Sequence, residues 1–593
     1  MSRPDETLPV DVDVVVLGTG LPESILAAAC ARVGFTVLHL DRNEFYGGSW
    51  ASFNLDGIQK WAEEQSNQVE IQSEISSQSI PEIQLQDGER LVFADSRLSI
   101  ADPGVHYSNI DVSWHIPKND PEPVIEQVDE EIPLSPSSAS AEKNAVEELA
   151  ETKTESQEMI EKKIENEPLL EMASLKVEPK KFDKIWTQDR IVNEWRRFSL
   201  DLAPKILLGR GSMVDLLSQS NVGRYAEFRS VNRLLTFYEG ELKVIPCSRS
   251  EVFQSTDITM IEKRMLMKFL TFCLNYDSES ERPKWQDFAE TPFLDYLSSH
   301  SQQLTDKLRH YVLHALAMVS PNTKTIDALK SINEFLMSTG RYGNSPFLWT
   351  LYGSGELPQC FCRLCAVFGG VYCLRRTVDA WIVDSDGNCT GIISDGHRVT
   401  CRKMIADGSY LPKELKKDRN LRPSVVSRAI LITDRPLTKT DGKENVSLLS
   451  YYASHLMEPV TVLESGAAGC VCPVGLYVIQ MTTKGSASTS AKEDLEPVVE
   501  TFFHVDDGGR GENDDRPRLL WSLFFNVTSV CVEEQMGDNV VVTPPVDGHL
   551  TFANLVPRLR EEFTRLWPNT DFLPAPPNPD EADAHESTPG NGF

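Results

Sequence analysis

The 593-residue chain lacks any surplus of positive charge: 58 Lys and Arg face 88 Asp and Glu, for a formal net charge of −30. A general nucleic-acid binder needs basic surface to displace counterions, so that class is excluded. So is attachment to anionic membranes by charge alone. No stretch of about 18 apolar residues occurs, so no membrane-spanning helix is expected. The start, MSRPDETLPV, has no cationic stretch followed by a long apolar run, and the end, ESTPGNGF, has no terminal Cys box. Neither a secretory leader nor a prenylated terminus is expected of it. The twelve cysteines follow no regular framework, which points to reduced thiols in the cytosol. Aromatic residues are missing altogether from 121–180, where sixteen acidic residues stand among six basic ones. Such a stretch cannot bury enough apolar surface to offset its chain entropy. It reads as the heart of an acidic, disordered insertion over 65–181.

What is present begins with a buried strand at 11–17, DVDVVVL, then Gly18-Thr19-Gly20 and an apolar helix from about Pro22 to Arg32. A second strand over 36–40 ends at Asp41. This is a βαβ opening of the dinucleotide-binding type. Residues 224–246 read as strands turning at Glu239-Gly240, and from 251 to 340 the periodicity becomes helical. Leu304, Leu308, Tyr311, Val312, Ala315 and Val319 are spaced by threes and fours, which places them on one face. Beyond Gly340, Gly-punctuated turns separate short strands such as 378–394 and 427–433. The expected fold is mixed α/β (α+β). A discontinuous FAD/NAD(P)-binding-like domain occupies 1–64, 182–250 and 341–560; a mostly helical domain is inserted at 251–340, and 561–593 forms a disordered tail.

A full dinucleotide fingerprint is Gly-x-Gly-x-x-Gly, whose glycines let a pyrophosphate approach the backbone at a helix N-terminus. Here Gly18 and Gly20 are kept, but Glu23 stands at the third place. A carboxylate there suits the helix dipole and fills and charges the pyrophosphate's position. Two anions within about 4–6 Å cost one to a few kcal/mol without an intervening cation. Asp41, 23 residues after Gly18, still stands where a ribose-binding acid belongs. The loop reads as vestigial: the fold signal survives, and no flavin or nicotinamide cofactor is expected.

Cys360, Cys362 and Cys365 have no second pair of ligands for a structural zinc and do not share one helical face, so buried thiols are expected. His310 and His314 are four apart, in His-Tyr-Val-Leu-His without the Glu of a zincin. They fall opposite the apolar stripe, which predicts a solvent face. No Ser-His-Asp or Cys-His arrangement assembles from local sequence, so neither catalytic residues nor a metal are expected.

Longer motifs carry a resemblance. Val16-Leu-Gly-Thr-Gly-Leu-Pro-Glu-Ser24, with Leu38-His-Leu-Asp-Arg42 and Tyr46-Gly47-Gly48, resembles the opening of the Rab GDP-dissociation inhibitor and Rab escort protein superfamily. Arg341-Tyr-Gly-Asn-Ser-Pro-Phe347, continuing through Leu351-Tyr-Gly-Ser-Gly-Glu-Leu-Pro-Gln359 to Phe368-Gly-Gly370, resembles its second hallmark. The run Gln359–Phe368, Pro246-Cys-Ser-Arg249 and Met260–Leu270 look like the escort branch, the component A of Rab geranylgeranyltransferase. The long acidic segment and Pro-Pro-Asn-Pro-Asp near the end match that branch too.

The resemblance implies a non-enzymatic protein that binds newly made GDP-bound Rab GTPases, presents them to the Rab geranylgeranyltransferase heterodimer and chaperones the prenylated Rab to membranes, with transient membrane contact. It implies a Rab-binding platform of Tyr46, Glu356 and Arg363. The inhibitors carry Thr and Met just after the second double Gly; Val371 and Cys373 stand at those places. Phe253 and Arg264, eleven residues apart, match the escort pair that docks on the transferase. A geranylgeranyl chain is worth on the order of 0.8 kcal/mol of burial per CH₂, so a carrier needs an apolar slot. Met265, Leu266, Met267, Phe269, Leu270, Phe272 and Leu274 can line one or form ordinary helical core. Arg363 can reach a partner carboxylate or pair internally with Glu356, two turns away. The rival readings are a Rab GDP-dissociation inhibitor and a flavin-dependent oxidoreductase.

Overall fold

Strand β1 (Asp11–Leu17), helix α1 (Leu21–Arg32) and strand β2 (Val37–Leu40) form the expected βαβ opening. β1 pairs in parallel with β2 on one side and with His397–Ala406 on the other. Covered on both faces, it is a continuous valine run where a half-exposed strand would alternate. The computed structural model describes residues 8–67, 85–93, 106–119, 186–299, 304–416, 421–439, 445–505, 515–532 and 537–576. Residues 120–180, the acidic heart of the expected insertion, lie outside them.

The first sheet runs Val371–Cys373, β2, β1, His397–Ala406, Cys389–Ser394, Ala380–Val383 and Arg90–Phe93, with Val540–Val542 also paired to His397–Ala406. α1 packs against it, against the helix Glu356–Val367 and against the helix Leu555–Leu566, and is buried from Leu21 to Ala31. The second sheet runs Glu241–Ile245, Arg233–Tyr238, Val446–Tyr451, Val460–Ser465, Tyr477–Lys484, Leu421–Thr433, Leu519–Val532 and His106–Trp114. The turn between its first two strands has Glu239 and Gly240 both left-handed, at φ 52° and 83°, as two-residue hairpins favour.

Two expected boundaries need correction. Arg90–Phe93 and His106–Trp114 are edge strands of the two sheets, inside the segment read as insertion from residue 65. The acidic composition of 121–180 had been carried too far back, over short runs of β-branched and aromatic residues that suit a pleated surface. The tail expected from 561 begins later, because Leu555–Leu566 is a helix with Leu559, Phe563 and Leu566 buried. Trp567 then stacks on Phe35 at 5.2 Å. Residues 577–593 lie outside the described set.

The helical stretch is present as Arg249–Gln254, Met260–Leu274, Phe293–Ser299, Asp306–Tyr311 and Thr325–Ser338, with a π-helical continuation over Val312–Ala317. Capping boxes at Ser248 with Glu251 and at Thr259 with Glu262 start the first two. Leu304, Leu308, Tyr311, Val312 and Ala315 share one core with Leu234, Ile245, Leu448 and Leu463 of the second sheet, as the stripe predicted. His310 and His314 do not face solvent. His310 lies 3.0 Å from Thr236 Oγ1 and 4.9 Å from the Tyr238 ring, and His314 stacks on Tyr452. The back of the helix is covered by Arg233–Tyr238, so both faces are packed. Among the described residues no helix is long and apolar enough to cross a membrane.

Burial holds His39 and His314 down to about 4, and it lowers His310 as well. His39 Nε2 also sits 2.5 Å from the Gly18 carbonyl. These rings stay neutral in the fold while the unfolded chain protonates near 6.5, so stability falls as pH drops from about 6.5 towards 4. The loss of stability between pH 7 and pH 5 should be smaller in His314→Gln than in the parental chain, read as the change in urea midpoint of each; an equal loss contradicts this assignment.

Candidate functional site

The glycine loop after β1 is closed from within. Asp41, expected to hold a ribose, accepts from the Thr19 backbone N–H at 2.7 Å and the Thr19 hydroxyl at 2.6 Å. Glu23 is buried and accepts from the Thr543 hydroxyl. A Cβ on Gly20 would meet Glu23 Oε2 at 2.3 Å. Any side chain at residue 20 would thus have to displace this carboxyl. Burial, then the nearby Asp407, pushes the Glu23 carboxyl well above its usual range, which favours its neutral form. The remaining cleft is about 180 Å³ and is lined by Glu23, Asp41, Glu64 and Asp407, with Arg42 the one cation. That guanidinium lies over Tyr410 at 3.8 Å. Four acids and a volume below the roughly 300–1,000 Å³ of ligand pockets do not fit a dinucleotide diphosphate. Glu23→Gln removes the need to keep a buried acid protonated. It should raise the unfolding free energy at pH 8 by on the order of 1 kcal/mol, seen as a higher urea midpoint, with the gain shrinking as pH falls. A lower midpoint at pH 8 counts against a neutral Glu23.

The platform residues do meet. The helix Glu356–Val367 carries Glu356, Gln359 and Arg363 on one face, and α1 packs behind it, with Ser24 Oγ 3.2 Å from Cys362 Sγ. Tyr46 closes the other side. Together with Tyr225, Cys360, Cys362, Ala366 and Tyr372 they line a cleft of about 330 Å³. Val371 and Cys373 lie on the edge strand either side of Tyr372, whose ring is 5.8 Å from Tyr46. Val371 is exposed and Cys373 half-buried.

The alternative internal pair does not form: Arg363 stacks over Tyr225 at 4.5 Å. Burial, then Asp201, raises the Glu356 carboxyl above its ordinary value. Tyr225, Gln359 and Tyr372 were missed by sequence reading. Helical spacing from Glu356 could have found Gln359, but nothing local marks Tyr225. Cys360, Cys362 and Cys365 are buried, as expected, with thiols pushed up to about 11, 12 and 11.

Phe253 and Arg264 lie on successive helices, and both are exposed, Phe253 at 61%. The Lys263 ammonium donates to the Phe253 carbonyl at 2.8 Å and braces one helix on the other. Met260 and Ile261, at the start of the second of these helices, are 63% and 72% exposed as well. Leu266, Met267, Leu270 and Leu274 line an apolar cavity of about 260 Å³ with Phe335, Leu336 and Tyr311. Met265, Phe269 and Phe272 pack against the same core to which Leu266, Met267 and Leu270 also belong.

The profile of the family described as GDP dissociation inhibitor matches residues 8–91 and 171–518 of this chain. The chain is similar to Rab proteins geranylgeranyltransferase component A 2 of Mus musculus, 38% identical over 97% of this chain and 99% of the relative. It is also similar to Rab proteins geranylgeranyltransferase component A 1 of Homo sapiens, 37% identical over 97% and 94%. A crystal structure of Rab GDI from Plasmodium falciparum covers 95% of this chain and all of that one, at 18% identity and a TM-score of 0.59, which shows the shared fold.

Proposed function

From a chain that belongs to the GDP dissociation inhibitor family, we propose an escort that acts as component A of Rab geranylgeranyltransferase. It binds newly made GDP-bound Rab GTPases, offers them to the transferase heterodimer and carries the prenylated product through the cytosol to membranes. It supplies surfaces, and the prenyl transfer belongs to the heterodimer. The observation that carries this reading is the exposed Phe253 with Arg264. A protein that only extracts finished Rabs has no use for a second apolar docking patch apart from the Rab cleft.

Each surface has a physical rationale. In the cleft, Tyr46 offers an amphipathic anchor of the kind enriched in binding hot spots. Glu356 is half-buried and hydrogen-bonds to nothing through its carboxylate among the described residues, so it is ready for a partner's cation. Arg363, held flat over Tyr225, presents its donors to a carboxylate or carbonyl. Val371 and Cys373 form the edge that tunes which Rab fits. At the other surface the exposed Phe253 and Arg264 are residue types enriched in interface cores. The apolar cavity between the helices Met260–Leu274 and Thr325–Ser338 shelters the geranylgeranyl chain, whose exposure would otherwise drive aggregation.

The purified chain, a GDP-loaded Rab and the transferase should co-elute, and prenyl transfer should require all three. Equal transfer without this chain refutes the escort role. Phe253→Ala should weaken transferase capture by roughly 2 kcal/mol or more while Rab capture stays intact. Loss of both means Phe253 supports the fold. Because Glu356 must ionise to pair with a cation and burial raises its pKa, Rab affinity should fall as pH drops, beginning above the ordinary carboxylate range. Glu356→Gln should weaken binding by about 1–3 kcal/mol and flatten that profile; an unchanged profile excludes Glu356 from the contact.

A further inference from the structure

Lys263 carries a charge where the helix Met260–Leu274 faces inward. It precedes Leu266 by three residues and Leu270 by seven, which places all three on one face, and both leucines line the apolar cavity. An apolar residue suits such a position, yet Lys263 is a lysine that is only 7% exposed. A buried ammonium is rare unless paired, and taking it out of water is costly. Among the described residues it makes no ion pair. Its ammonium donates to the Phe253 carbonyl at 2.8 Å, the hydrogen bond that joins the two helices.

That carbonyl lies in the last turn of the helix Arg249–Gln254, where no later N–H of the helix reaches it. A cation at this end also suits the helix dipole. The helix has six residues, too few to hold a direction by its own backbone bonds. Its start is fixed by the capping box of Ser248 and Glu251, and Val252 is its buried side chain. Phe253 points the other way and is 61% exposed, so little packing of its own sets its position. The loop beyond is pinned through Asp257, which accepts from the Tyr311 phenol and pairs with Lys307 at 2.9 Å. Lys263 completes the clamp, from the residue next to Arg264.

We propose that Lys263 is a positioning residue for capture of the transferase. By holding the Phe253 carbonyl against the helix that carries Arg264, it keeps the two docking side chains in one arrangement before the transferase arrives. An aromatic ring on a frayed helix end would have to be ordered on binding, and that ordering costs affinity. The proposal rests on the docking reading of Phe253 and Arg264 above, and adds to it the group that sets their geometry.

The test compares Lys263→Met, Phe253→Ala and the double variant in the full chain. Each is loaded with a GDP-bound Rab GTPase and titrated with the transferase heterodimer, and Kd for the Rab is measured on the same preparations. Lys263→Met keeps the length of the stem and removes the donor. It should weaken transferase binding about tenfold and leave Rab binding at the parental value. In the Phe253→Ala background the same change should add less than about twofold, because its effect passes through Phe253. Parental transferase affinity in Lys263→Met overturns the proposal. So does an equal loss of Rab affinity, which would make Lys263 a support of the whole fold. A full tenfold loss on top of Phe253→Ala overturns it too, by showing that Lys263 acts elsewhere. Parental transferase affinity in Phe253→Ala alone is the separate failure of the docking reading.

Discussion

The buried Glu23 carboxyl is the constraint on which the rest of the molecule leans. It sits in the first turn of α1, fills the space a pyrophosphate would need, and receives the Thr543 hydroxyl from a segment 520 residues further along. A buried acid without a cation nearby is tolerable only when neutral and hydrogen-bonded. Both conditions are met, and so the loop, α1 and the strand Val540–Val542 become one closed unit. The neighbouring contacts repeat the theme. Asp41 turns inward to Thr19, and the buried Lys205 ammonium holds Asp547. Phe552 stacks on Trp50 at 6.1 Å.

That closure has a consequence for the outer surface. With no cofactor to bind, α1 serves as backing for the helix Glu356–Val367, which it meets through Ser24 and Cys362. The rigid backing lets Glu356 and Arg363 stay without a mutual ion pair. Left to relax on a mobile element, two such groups would satisfy each other and leave little for a partner. The Tyr225 ring holds Arg363 in reserve. Preorganisation of this sort lowers the entropic cost of association, which area alone does not offset.

The second surface follows different physics. Phe253, Met260 and Ile261 stand exposed on helices that are well capped and tied together by Lys263. A rigid apolar patch of this kind marks a protein-binding surface more than it marks poor packing. The adjacent apolar cavity uses Leu266, Met267, Leu270 and Leu274 from the same helix. One helix thus carries exposed apolar residues at its start and lines an apolar cavity with others.

Much of this was legible in the residues. The valine run of β1, the glycine pair, the hairpin turn at Glu239-Gly240 and the apolar stripe from Leu304 to Ala315 are local signals, since each depends on neighbours within a few positions. The substitution at Glu23 carries its meaning in the same way, because a fingerprint position is defined by its own loop. The long motifs likewise marked Tyr46, Glu356, Arg363, Phe253 and Arg264 in advance. What the sequence could not reveal is what lies across the fold. Thr543 caps Glu23, Tyr225 takes Arg363 away from Glu356, and His310 with His314 is covered from behind by a strand. Short edge strands at Arg90–Phe93 and His106–Trp114 take their stability from sheets whose other members lie hundreds of residues away. The sequence by itself determined the βαβ opening, the acid at the third place of its loop and the apolar helical stripe, because those follow from local sterics and charge. Only the tertiary structure decided which groups are left unpaired at the surface, because pairing is settled by what folding brings within reach.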